Sequence, residues 1–200
     1  MKFSNSIRYF LLMIGFIALI STSTFAHCDS MEGPVVKASQ KALETGNINY
    51  VLIWVQDKDE KEIQNLFEKV LRIRKLNAEA KELADMYFYE TVVRVHRMGE
   101  GVGYTGLKPV GYEPEEGIEA ADIAIEENSL DRVYAHLSEE HNPKIKDYFS
   151  DVQLKKNYDV NDLKAGREYV ESYVHFIHYV EGLFNGEDGH DQHNQEIHKH

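Results

Sequence analysis

An internal repeat is the feature that most constrains the fold of this chain. Residues 38–100 and 120–182 align without gaps at an offset of 82 residues. The alignment contains ten identical pairs: Ala38/Ala120, Ala42/Ala124, Glu44/Glu126, Val51/Val133, Ile63/Ile145, Phe67/Phe149, Val70/Val152, Tyr87/Tyr169, Val92/Val174 and His96/His178. Predicted helix starts coincide as well, because Asn47 aligns with Ser129 and Asn77 with Asp159. We therefore predict an all-α fold, with two repeats of about four helices related by a pseudo-twofold and packed as one bundle-like domain.

The first repeat, residues 35–98, carries the clearer helix signals. We predict helices at 35–45, 48–56, from 59 onward, and 77–98. The apolar run at 50–55 alone would also suit a buried strand, but its helical neighbours and the lack of a partner strand favour helix. Apolar spacing predicts an inward face made of Ile63, Leu66, Phe67, Val70 and Leu71 in the third helix, and of Leu83, Met86, Tyr87 and Val93–Val95 in the fourth.

Residues 99–117 form a predicted linker between this repeat and the second one, residues 118–184. The linker holds six glycines and two prolines, and Gly101–Gly106 matches the pattern G-x-G-x-x-G. That dinucleotide-binding pattern needs a strand before it and a helix directly after it. Here a helix precedes it and prolines follow, so we interpret the match as accidental.

The first 26 residues have the organisation of a signal peptide. Lys2 and Arg8 form a positive start, an apolar segment follows at 9–20, and the small residues that end at Ala26 suit cleavage. A cut after Ser23 is the alternative, and acylation of Cys28 as in a lipoprotein is disfavoured by the bulk of His27. The predicted location is therefore periplasmic or secreted, with a mature chain that begins at His27.

Charge and cysteine content limit the partners of the mature chain. The formal net charge is −12, and removal of Lys2 and Arg8 without any acidic residue makes it −14. Such acidity argues against nucleic acids and anionic membranes, because both are bound through clustered Lys and Arg. A single Cys excludes an internal disulfide framework. The oligomeric state stays open, a homo-oligomer included.

Residues 27–34 are the candidate metal hook. A free N-terminal His27 offers its amine and its imidazole to one metal ion, and Cys28 adds a thiolate and, when deprotonated, its amide nitrogen. Sulfur and nitrogen donors together suit late transition metals such as Cu, Ni or Zn. The predicted cofactor is therefore a transition-metal ion.

The same residues resemble the N-terminal hook of nickel superoxide dismutase, which reads H-C-D-x-x-C-G. His27, Cys28, Asp29 and Gly33 match it, whereas Glu32 stands in the place of the second Cys. The resemblance implies metal binding by the terminal amine, by the His27 imidazole, and by the amide and thiolate of Cys28. A carboxylate is a harder and weaker ligand than a thiolate, so Glu32 lowers the expectation of redox cycling.

Over the mature length the chain also resembles an uncharacterised family of secreted bacterial helical proteins. The shared segments are the H-C-D…G-P-V-V start and the A-L-E-T-G-N…V-L-I-W-V stretch. This resemblance implies no activity.

Further metal ligands are predicted on helices and in the tail. Glu171, His175 and His178 recur at i, i+4 and i+7 on the last helix, so one face presents a carboxylate and two imidazoles; the alternative is a polar stripe beside a core of Tyr173, Val174, Ile177 and Val180. His96 is a candidate ligand or a satisfied core histidine. The tail, residues 185–200, has a metal-binding composition and is otherwise predicted to be disordered, with His190, His193, His198 and His200 as candidate ligands.

Three functions follow from these residues. The first is an exported protein that binds a transition metal through His27 and Cys28. The second is a redox metalloenzyme of the superoxide-dismutase type, in which Arg94 and Arg97 could attract the anion or instead pair with Glu90 or Glu100. The third is a non-metal structural or interaction protein in which Cys28 forms an intermolecular disulfide. The missing second thiolate favours the first.

Overall fold

The computed structural model describes residues 28–186, and this part of the chain is all-helical, with no strand. Its eight α-helices are α1 (Pro34–Thr45), α2 (Asn49–Leu52), α3 (Glu60–Ile73), α4 (Ala78–Gly99), α5 (Glu116–Glu127), α6 (Asp131–Tyr134), α7 (Asn142–Lys155) and α8 (Leu163–Phe184). Two short 3-10 helices, Asp57–Asp59 and Glu139–His141, precede α3 and α7. None of the helices in residues 28–186 has the length and apolar character needed to span a bilayer.

The two long helices organise the packing. In the first half α1 and α3 pack against α4, and in the second half α5 and α7 pack against α8. The buried apolar side chains of both halves form one continuous core, in which Phe88 of α4 and Phe176 of α8 are among the largest fully buried residues. The all-α, single-domain prediction is therefore confirmed.

The helix bounds repeat at a constant spacing. From α5 through α7, each element begins and ends 82 residues after its counterpart in the first half. The last helix is displaced by 85, because it is capped by Asp162, whose carboxylate accepts from Ala165 N at 3.0 Å, as Asn77 accepts from Ala80 N at 2.7 Å in α4. The predicted cap at Asp159 was thus wrong by three residues. This register supports an internal duplication, which stays a prediction.

The predicted second helix, residues 48–56, is much shorter than expected. Only Asn49–Leu52 is α-helical, although all five residues from Val51 to Val55 are buried. Two backbone carbonyls that a longer helix would use for its own hydrogen bonds are instead hydrogen-bonded to side chains of helices far away in the sequence. Arg167 of α8 donates to the oxygen of Leu52 at 3.2 Å, and the His96 ring of α4 bonds the oxygen of Trp54 at 2.8 Å.

The first half of the predicted inward face of α4 is wrong. Leu83, Met86 and Tyr87 are 74%, 39% and 59% exposed, because α4 turns a different stripe toward the core. That stripe contains Ala84, Phe88, Val92 and Val95, at helical spacing. Other predicted core positions are confirmed: Val93 and Val95 in α4, Ile63, Phe67 and Val70 in α3, and Tyr173, Val174, Ile177 and Val180 in α8.

The linker after α4 returns to the start of the described chain. Lys108 N donates to Asp29 O at 2.8 Å, and Met31 N donates to Lys108 O at 3.0 Å. Around Gly101–Gly106 the chain is a loop that follows α4, and the next helix begins only at Glu116. The linker therefore holds residues 29–31 against the end of α4.

Candidate functional site

Cys28 lies at the first described position, half-buried and packed against the core. Asp29, Arg97 and Glu100 act electrostatically on Cys28, and His96 contacts Glu100 and acts on Asp29; we call these five residues the N-terminal polar cluster. The last turn of α4 supplies His96 and Arg97, and Glu100 caps that helix. The cluster therefore forms where the N-terminal segment meets the carboxyl end of α4.

Asp29 is held by a buried ion pair. Its Oδ1 lies 3.2 Å from Arg97 Nε, and the two residues are only 1% and 4% exposed. Burial raises the pKa of Asp29, while the charges of Arg97, His96 and Lys108 act to lower it. Arg97 also donates through Nη1 to Glu100 Oε2 at 3.2 Å. Arg97 thus joins the N-terminal segment to the residue that caps α4.

The imidazole of His96 is fixed on one side only. Its Nδ1 lies 2.8 Å from the carbonyl oxygen of Trp54, and the Trp54 ring meets it edge-on at a centroid distance of 5.7 Å. Its Nε2 lies 3.3 Å from Glu100 Oε1 but makes no hydrogen bond, although His96 is only 4% exposed. A buried ring nitrogen without a hydrogen bond is uncommon and calls for an explanation.

The electrostatic surroundings of the thiol are acidic. Burial raises the pKa of Cys28 well above its usual value, and the charges of Glu100, Asp29 and Asp122 raise it further, against the opposite effect of Arg97. Nearby, the hydroxyl of Tyr173 donates to Asp122 Oδ1 at 2.7 Å, and burial raises the pKa of Tyr173 as well. Three carboxylates therefore disfavour a thiolate at Cys28, and a bound cation would offset their charge.

The remaining described candidates are exposed or make other contacts. Glu32 is exposed, and its Oε2 accepts from Gly111 N of the linker at 2.9 Å. Glu171 is exposed, His175 lies beside Tyr148 at a ring distance of 6.4 Å, and His178 Nδ1 lies 2.9 Å from Glu181 Oε2. His27, His190, His193, His198 and His200 lie outside the described residues.

Within residues 28–186, no group of three or more His, Cys, Asp and Glu side chains is placed to hold a metal ion. The structure therefore links His96 to Cys28 only through Asp29, Arg97 and Glu100, and a metal site there needs at least one donor from outside this range or a movement of Cys28.

The sequence predicts Glu100 only as an ion-pair partner of Arg94 or Arg97, and the pairing with Arg97 is observed. Arg94 instead contacts Glu62, with Nη2 and Oε1 3.1 Å apart. The i, i+4 spacing of His96 and Glu100 on one helix was the signal that would have identified their pairing. Asp122 and Trp54 gave no such signal, because their place beside the cluster depends on tertiary packing.

Comparison with known proteins identifies a family but no activity. A model described as a family of unknown function (DUF6448) matches residues 32–179. No curated protein and no solved structure matches the chain. The family match begins after Cys28, so the hook residues 27–31 lie ahead of the matched range.

Proposed function

The chain belongs to DUF6448, a family of unknown function, and we propose that it is an exported protein that binds one transition-metal ion. His27 supplies its amine and imidazole, and Cys28 supplies its thiolate. The candidate metals are Cu, Ni and Zn, whose preferences include sulfur and nitrogen donors.

The anchoring of Asp29 carries this proposal. Asp29 is bonded through its backbone oxygen to Lys108 N at 2.8 Å and through its carboxylate to Arg97 at 3.2 Å. The residue directly after Cys28 is thus fixed, which places the thiol among acidic groups at the end of α4. A site that is already held in position loses less conformational freedom when the ion binds.

Electrostatics support a cation at this place. The raised pKa of Cys28 keeps a free thiol protonated, whereas a metal ion displaces the thiol proton and offsets the charges of Glu100, Asp29 and Asp122. The carboxyl end of α4 also carries a partial negative charge that favours cations.

The two other functions receive less support. In a redox enzyme of the superoxide-dismutase type, Glu32 would serve as a metal ligand in the place of the second Cys. Its carboxylate instead accepts a hydrogen bond from Gly111 N of the linker. An intermolecular disulfide needs an accessible thiolate, and Cys28 is half-buried with a raised pKa.

The test uses protein exported with its own signal peptide, with its first residue identified by N-terminal sequencing. We expect about one tightly bound metal ion per chain by elemental analysis. Cys28→Ser should remove it, and one extra residue ahead of His27 should remove most of the affinity by blocking the amine. Native-terminus protein without metal, or an extended variant that binds as tightly, would refute the proposal.

A further inference from the structure

We propose that the outer surface of α3 and α4 is a homodimer interface, at which two copies of the chain meet across a two-fold axis. Its centre is an apolar strip of five exposed residues: Ile73, Leu76, Leu83, Met86 and Tyr87. The strip borders the start of α4, whereas the N-terminal polar cluster lies at the end of this 22-residue helix, about 33 Å away. The interface is therefore separate from the proposed metal site.

The strip is large for the surface of an isolated chain. Leu76 and Leu83 are each 74% exposed, and Ile73 is 45% exposed. Together the five residues expose roughly 600 Å², which is the upper end of the range for the largest apolar patch on an ordinary monomer. With the charged residues that border it, the surface approaches the area of about 800 Å² that each partner buries in a standard interface.

The second half of the chain shows that apolar residues are not needed at these positions. At the offsets of 82 for α7 and 85 for α8, the residues equivalent to Ile73, Leu83, Met86 and Tyr87 are all polar: Lys155, Glu168, Glu171 and Ser172. The helical unit therefore packs without an apolar side chain at any of them. Burial against another molecule explains why the first half has four.

The outer surface is continuous from α4 to α3. Arg94 follows Leu83 and Tyr87 by eleven and seven residues, so the three share one face of α4. On that face Arg94 Nη2 lies 3.1 Å from Glu62 Oε1 of α3, and both side chains are partly exposed. A partner that covers the strip therefore contacts both helices.

Opposite charges lie on the two sides of the strip. Lys69, Arg72 and Lys75 are exposed on the α3 side, and Glu79 and Glu82 are exposed on the α4 side. The ion pairs between the end of α3 and the start of α4 are made by other residues. These five charges are therefore available to a partner.

The charge distribution favours a second copy as that partner. Residues 68–90 contain five Lys and Arg and five Asp and Glu, so they are neutral in a chain with a net charge of −12. Two such acidic molecules repel each other least where local charges balance. A two-fold axis along the strip, parallel to the helices, places the α3 side of one copy against the α4 side of the other. Lys69 and Arg72 of each copy then face Glu79 and Glu82 of the other, which makes the surface self-complementary.

The experiment measures the association of the exported protein by sedimentation equilibrium, with a chelator and a thiol reductant present. These additions prevent the linking of chains by metal ions or through Cys28, so the result is independent of the proposed function. Leu83→Asp alters the centre of the strip. The matched control is Leu154→Asp, because Leu154 of α7 is also an exposed leucine, at 81%. Circular dichroism checks that both variants fold.

We expect a concentration-dependent wild-type dimer, which Leu83→Asp weakens at least about tenfold and Leu154→Asp leaves unchanged. Wild-type protein that stays monomeric at about 1 mM would overturn the inference and assign the strip to a different protein. Equal association of the two variants would overturn it as well.

A charge-reversal experiment tests the two-fold arrangement. One variant carries Lys69→Glu and Arg72→Glu, and the other carries Glu79→Arg and Glu82→Arg. Each should be monomeric alone, because like charges then face each other across the axis, whereas an equimolar mixture should form a heterodimer. Association of either variant alone as strong as that of the wild type, or a mixture that stays monomeric, would overturn this arrangement.

Discussion

The buried ion pair between Asp29 and Arg97 determines how tightly the segment that carries Cys28 is held. The two residues are 1% and 4% exposed, and their charged atoms lie 3.2 Å apart. Removing one partner of a buried ion pair costs about 3 to 5 kcal/mol. Because Arg97 keeps its contact with Glu100, we expect the lower value, about 3 kcal/mol, for Asp29→Asn. That free energy corresponds to a roughly 100-fold larger population of molecules with the segment released.

The reaction of Cys28 with a chromogenic disulfide reagent measures this population, because Cys28 is the only cysteine. In metal-free protein we expect Asp29→Asn to react roughly 100-fold faster than the wild type, since release exposes the thiol and lowers its raised pKa. Asp57→Asn is the matched control, because Asp57 also pairs with an arginine but its side chain is 85% exposed. An acceleration below about threefold would show that the ion pair does not anchor the segment.

Two further predictions concern stability. Gly166→Ala should destabilise the fold by about 1 to 3 kcal/mol, because an added Cβ would clash with Ile53 where α8 meets the first half, whereas Gly103→Ala meets open space and should change the midpoint of thermal unfolding little. Burial raises the pKa of Tyr169 to about 12 from a usual value of 10, so its stabilising contribution is complete below pH 10 and is lost as the pH rises through 12. Between neutral pH and pH 11 the wild type should therefore lose about 1.4 kcal/mol of unfolding free energy relative to Tyr169→Phe in denaturant titrations. Tyr87→Phe, at a 59% exposed residue, is its control, and equal alkaline unfolding curves for both variants would contradict the reasoning.

Local signals in the sequence were sufficient for much of the fold. The helix predicted at 35–45 is observed at Pro34–Thr45, with Pro34 at its first position and Gly46 after its end in the left-handed conformation at φ 73°. Asn77 caps α4 through its side chain. Such features depend on residues close together in the chain, so they can be recognised without knowing the tertiary structure.

The errors came from interactions between distant residues. The second helix ends early because Arg167 and His96, far away in the sequence, bond the carbonyls of Leu52 and Trp54. The exposed face of α4 was misjudged because Leu83 and Met86 are apolar yet lie on the side away from α1 and α3. For the site, sequence indicated Cys28 and His96 separately, and the link between them through Asp29, Arg97 and Glu100 depends on tertiary packing.

The three-residue shift before α8 changes which residues of the two halves occupy equivalent positions. At the offset of 85 that relates α8 to α4, His96 aligns with Glu181 rather than with His178. Both aligned residues are 4% exposed and both belong to a histidine–glutamate pair, His96 with Glu100 and Glu181 with His178. Only the first pair lies beside the N-terminal segment, through Arg97 and Asp29. If the halves arose by duplication, a buried polar position at this turn is the shared feature.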